Sequence, residues 1–89
     1  MRAIVTVAGK DRIGIIAEVC TLLAENNVNV MDISQTVMQE YFTMAMLVDT
    51  SVSTLPFSEL VELVRAHGVN AGLDIRIQRE DFFNAMHRI

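Results

Sequence analysis

A seven-residue stretch, Gly9-Lys10-Asp11-Arg12-Ile13-Gly14-Ile15, lies between an apolar strand and an apolar helix and restricts this chain more than any other feature. Upstream, Ala3-Ile4-Val5-Thr6-Val7 reads as strand; downstream, Ile15 to Glu25 reads as helix. The side-chain period must change from 2 to 3.6 across a turn bounded by two glycines. Glycine, lacking a Cβ, admits unusual backbone angles and close approach by another backbone or a ligand. A helix that starts here presents unpaired N–H groups and its positive dipole end to an anion. The plainer reading of the same residues is a strand-to-helix turn in which Asp11 caps the helix.

Size and charge narrow the field. A chain of 89 residues makes one small domain. Such a chain hides only about 60–65% of its unfolded surface, so association with a second copy would add stability. Residues are 52% hydrophobic, more than one small core can hide, yet no apolar run approaches the ~20 residues of a membrane span. Net charge is −4, against a nucleic-acid surface, where a basic stripe is expected. The start, Met1-Arg2-Ala3, shows no signal-peptide layout, and a lone Cys20 cannot form an intrachain disulfide. The expected location is cytoplasmic.

Periodicity sets the order of elements. Residues 2–8 form a first strand, apolar on both faces and therefore central. Residues 14–26 form a helix with Ile16, Val19, Cys20 and Leu23 inward and Glu18, Thr21 and Glu25 outward, ended by Asn26-Asn27. Strands follow at 29–38 and 41–50, joined by a short hairpin at Gln39-Glu40. In the second of these, Phe42, Met44, Met46 and Val48 alternate with Tyr41, Thr43, Ala45 and Leu47. After the loop Ser51 to Leu55, Pro56 opens a helix over 56–67 that buries Phe57, Leu60, Val61 and Val64 and stops at Gly68. Residues 72–79 give a last strand with Leu73, Ile75 and Ile77 inward and Asp74, Arg76 and Gln78 outward.

The resulting β-α-β-β-α-β order predicts an α+β, ferredoxin-like fold: a four-stranded antiparallel sheet with two helices on one face. The domain spans 1–80. A short amphipathic helical tail over 81–89 (Phe82, Phe83, Met86, Ile89), capped by Asp81, packs on the domain or across a dimer. The open sheet face, carrying Ala45 and Leu47, or a sheet edge is expected to meet a partner.

An apolar strand, then Gly9-x-Asp11-Arg12-x-Gly14-Ile15, an apolar helix and Asn29-Val30-x-Asp32-Ile33, resembles the ACT domain from Ala3 to about Arg79. The whole chain is similar to the small stand-alone ACT proteins of bacteria and archaea. Many ACT domains carry Pro where this chain has Ile13, so this loop is less rigid. The resemblance implies a regulatory module that binds an amino acid or related metabolite, usually at a homodimer or higher homo-oligomer interface, with a protein partner as a further possibility. It carries over Gly9, Asp11, Arg12, Ile13, Gly14 and Ile15 from the loop, and Asn29, Val30, Met31, Asp32 and Ile33 from the second strand. Backbone N–H groups of Ile13 to Ile15 would hold a carboxylate, and Asp11 or Asp32 an ammonium group. Asn29, with donors and an acceptor, would bridge ligand and loop. For Asp32 a solvated strand-end carboxylate is the alternative, and for Arg12 a surface or intersubunit ion pair.

Other residues carry less. His67 is expected in the last turn of the second helix, where an imidazole suits the dipole, and His87 has no companion at ligand spacing. Met44 and Met46 read as core filler and Cys20 as a small hydrophobe. No nucleophile–base pair, acid pair or metal cluster stands out, so neither catalysis, cofactor nor metal is expected. A purely structural interaction domain is the competing reading. An acylphosphatase-like enzyme, for which Arg12 would hold phosphate, is disfavoured by Asp11 in the loop and by the acidic net charge.

Overall fold

The computed structural model describes residues 1–86. Its elements run β1 (Arg2–Lys10), α1 (Ile15–Glu25), β2 (Asn29–Met38), β3 (Tyr41–Asp49), α2 (Phe57–Ala71), β4 (Asp74–Arg79) and α3 (Glu80–Met86). The sheet order is β2-β3-β1-β4, with every neighbouring pair antiparallel. This is the predicted ferredoxin-like order with β1 central. Because β1 and β2 both run antiparallel to β3, they are parallel to each other.

Alternation decides which side is covered. Ala3, Val5 and Val7 of β1, Phe42, Met44, Met46 and Val48 of β3, and Ile75 and Ile77 of β4 are buried on one face. Against them lie Ile15, Val19 and Leu23 of α1 and Leu60 and Val64 of α2. Each Val, Leu, Ile, Met or Phe among them contributes about 1.5–3 kcal/mol when taken fully from water, so this layer carries the fold. Ile16 and Cys20 are only partly buried but pack against the same core. On the open face Ala45 and Leu47 are half-buried, and Thr6, Thr36 and Thr43 border a shallow depression of about 340 Å³.

The structure corrects several boundaries. α2 does not stop at Gly68 but runs through it to Ala71, and Gly72, at φ +74°, ends it. Leu73 N–H bonds to Gly68 O (2.8 Å) and Gly72 N–H to Val69 O (3.4 Å), the paired bonds of a Schellman cap. His67 is therefore not in the last turn. Pro56 stands one position before α2 rather than inside it. β1 continues to Lys10, β3 ends at Asp49, and β4 starts at Asp74, because Gly72 and Leu73 make the turn. Asp11 does not cap α1: Gly14 occupies the cap position with no side-chain cap bond.

The hairpin between β2 and β3 is the expected two-residue turn, with Gln39 at φ +54°. α3 follows β4 without a break, and the Arg2–Glu80 ion pair ties its first turn to β1. Asp81 lies within α3 rather than capping it and pairs with Arg79 at 2.8 Å. Phe82 is 57% exposed. His87 and Ile89, singled out in the sequence, lie outside the described residues.

Candidate functional site

The β1–α1 loop is held at both ends. Asp11 N–H donates to Glu40 O at 2.7 Å, fastening its start to the β2–β3 turn. At its end Gly14 adopts φ +90°, a left-handed conformation that residues with a Cβ rarely take. Nothing lies within 4 Å of where a Gly14 Cβ would stand, so backbone geometry, not space, asks for glycine. Glu18 N–H closes the first helical bond onto Gly14 O at 2.9 Å, leaving the N–H groups of Ile15, Ile16 and Ala17 as the uncapped first turn. Ile13, fully exposed, projects outward.

These groups border a cleft of about 240 Å³. The loop supplies Asp11, Arg12 and Gly14; α1 supplies Ile15, Ile16 and Ala17; the sheet supplies Gln35, Val37 and Phe42. A volume near the lower bound of about 300 Å³ for small-molecule sites suits a small metabolite. Its walls offer backbone donors, one carboxylate, one guanidinium, one amide and an apolar floor.

The structure thus gathers Asp11, Arg12, Gly14 and Ile15 around the cleft, leaves Ile13 in the same loop but outside its lining, and sets the remaining carried-over positions apart. Gly9 is part of β1, and a Cβ there would lie 2.7 Å from Leu73 Cδ2, so its bareness serves packing. Asn29 and Val30 pair with Asp49 and Val48 at the opposite end of the sheet. Met31 is the bulged residue between Val30 and Asp32. Asp32 is exposed and accepts from Ile33 N–H at 2.9 Å. Gln35, Val37 and Phe42 line the cleft without any local sequence signal for it. The signal that finds them is topological: parallel β1 and β2 end on the same side, so the end of β2, not its start, flanks the loop.

Electrostatics centre on Glu18, expected to face solvent but half-buried. Arg12 Nη2 donates to its Oε2 at 3.0 Å, and His67 Nε2 lies 2.7 Å from its Oε1. A carboxylate can only accept, so the imidazole donates. Arg12 first, and His67 second, hold the Glu18 carboxyl below its ordinary value.

A larger hollow of about 490 Å³ lies by Phe57, Ile77 and Phe82. Its charged neighbours Arg79 and Asp81 are paired with each other. Among the described residues no group of three or more His, Cys, Asp or Glu could hold a metal, and no helix is long and apolar enough to cross a membrane.

The family model described as ACT domain matches residues 2–78. A UPF0237 protein of Clostridium perfringens is 53% identical over 89 residues, covering all of both chains. Among solved structures, an ACT domain protein from Streptococcus pneumoniae superposes with a TM-score of 0.82 at 44% identity, covering 98% of each chain. The regulatory subunit of aspartate kinase from Thermus thermophilus gives a TM-score of 0.68 at 25% identity over 89% of this chain and 51% of that one.

Proposed function

The chain belongs to the ACT domain family, whose members are typically ligand-binding regulatory modules, and from that premise we propose that it senses an amino acid or related metabolite as a homodimer. The observation that carries this reading is that the cleft's lining reaches Gln35 and Val37, on the edge strand β2. In this account the ligand carboxylate meets the first-turn N–H groups of α1, Asp11 accepts from its ammonium, and its side chain rests on Val37 and Phe42.

Edge strands invite pairing, and β2 is a long one without Lys or Pro. Ile33 (39%) and Val37 (53%) are exposed on its helix-facing side. Two β2 edges paired antiparallel set the start of one strand beside the end of the other. Segment 29–33 of the second copy then lies alongside Gln35–Met38, which gives Asn29 and Asp32 a route to the cleft across the dimer. A metabolite bridging the copies shifts the population toward the dimer. No reaction is assigned to the module, and its half-buried free Cys20 suits the reducing cytoplasm.

Amide-resolved titration of the labelled protein with each of the twenty amino acids tests this. The reading expects shifts at Gly14–Ala17 and Gln35–Met38 for one or a few of them. A flat response throughout favours an interaction domain without ligand.

A further inference from the structure

Glu18 stands at the junction of three elements. Its backbone closes the first turn of α1 onto Gly14 O, which roots the side chain directly behind the loop. One carboxylate oxygen takes Arg12 from the loop, and the other takes His67 from α2. Arg12 is the only cation among the residues lining the cleft, and Asp11 stands beside it. Any anion entering the cleft thus finds its single positive side chain already neutralised.

We propose that Glu18 is a built-in competitor for Arg12, so that a ligand carboxylate or phosphate must draw the guanidinium away from it, with His67 setting how readily Glu18 gives way. The inference rests on the reading of the cleft as a metabolite site. In the structure as it stands, Arg12 is turned back onto α1. Glu18 also lines a hollow on the α1 surface together with Thr21, Glu25 and His67. Glu18 can shift toward His67 when Arg12 leaves, because its Oε1 is already engaged there. Binding in the loop is thereby reported to α2, which otherwise makes no contact with the cleft. The lowered Glu18 carboxyl agrees with an oxygen pair fully engaged by donors.

This makes opposite demands on two variants. Glu18→Gln keeps the shape and an acceptor but removes the competing charge, so anions should bind more tightly. His67→Ala frees the second oxygen, turns the whole carboxylate to Arg12, and should weaken anion binding. A partly exposed charge pair of this kind supports changes of about two- to fivefold.

The test is titration of the full-length labelled protein at pH 7 with inorganic phosphate and, separately, sodium acetate, following the amides of Gly14–Ala17. The expected result is a lower midpoint in Glu18→Gln and a higher one in His67→Ala. If the unaltered protein responds but Glu18→Gln binds no more tightly, the inference fails and the cleft reading stands. If neither protein responds to either anion at these amides, the cleft is no anion site and both fail. A preference for phosphate over acetate, or the reverse, tells which anion class the site favours.

Discussion

A Cβ on Gly68 would lie 2.6 Å from the carbonyl oxygen of Leu73. The same two residues share a backbone hydrogen bond of 2.8 Å, so α2 folds onto the start of β4 through its own glycine. Alanine in a helix interior normally gains about 1 kcal/mol over glycine. Here the clash is with backbone, which cannot step aside, and overpacking of this kind costs about 1–3 kcal/mol. Gly68→Ala is expected to lower the urea midpoint; an increase would show that α2 can shift from β4 freely.

Acid should destabilise the fold through several surface carboxylates, some exposed and some half-buried. Arg12 lowers Glu18, the Ser51 hydroxyl lowers Asp49, Arg65 lowers Glu62 and Arg79 lowers Asp81. With the folded value below the unfolded one, the unfolded chain binds more protons between the two. The stabilisation is complete above the unfolded carboxylate range and is lost as pH falls through the folded values. Urea midpoints measured from pH 7 down to pH 2 should fall in the acid range, and the fall should shrink in Glu18→Gln.

The edge-to-edge arrangement separates from a face-to-face one by two charge insertions. Ile33 is on the helix-facing side of the β2 edge, and Thr43 is on the open face of the sheet. Ile33→Lys should convert a dimer to a 9.9 kDa monomer in sedimentation velocity, and Thr43→Lys should leave it intact. The opposite pattern would put the interface on the open face.

What the sequence disclosed, and what it hid, follows from the range of each signal. β3 and β4 were legible because alternation is local: Phe42, Met44, Met46 and Val48 are buried as their spacing predicts. α1 was legible for the same reason. The end of α2 was not, since a glycine that stops a helix and a glycine that lets it pack closely look alike in one dimension. Gly72, four residues on, carries the positive φ that the stop requires. For the cleft, the loop was legible from Gly14, but its neighbour on β2 within the same chain was not. That Gln35 and Val37 line it, with Asn29 and Asp32 at the far end of the strand, depends on which end of a parallel strand meets the loop, and no local pattern states that. The sequence offers His67 only a helix dipole, because its hydrogen-bond partner, Glu18, lies 49 residues away.

A metabolite site built on the left-handed Gly14 makes a demand that thermal unfolding against the twenty amino acids can read in three proteins: the unaltered chain, Gly14→Ala and Gly72→Ala. Both glycines have positive φ with open space at the Cβ, so each substitution costs about 1–3 kcal/mol of strain. Only Gly14 borders the cleft. A ligand at a hundredfold over its Kd should add about 2.7 kcal/mol, a rise of about 10 °C or more in a domain this small. The rise is expected in the unaltered chain and in Gly72→Ala, and is expected to vanish in Gly14→Ala. A rise that survives in Gly14→Ala, or no rise in any of the three, would rule out a metabolite site at this loop.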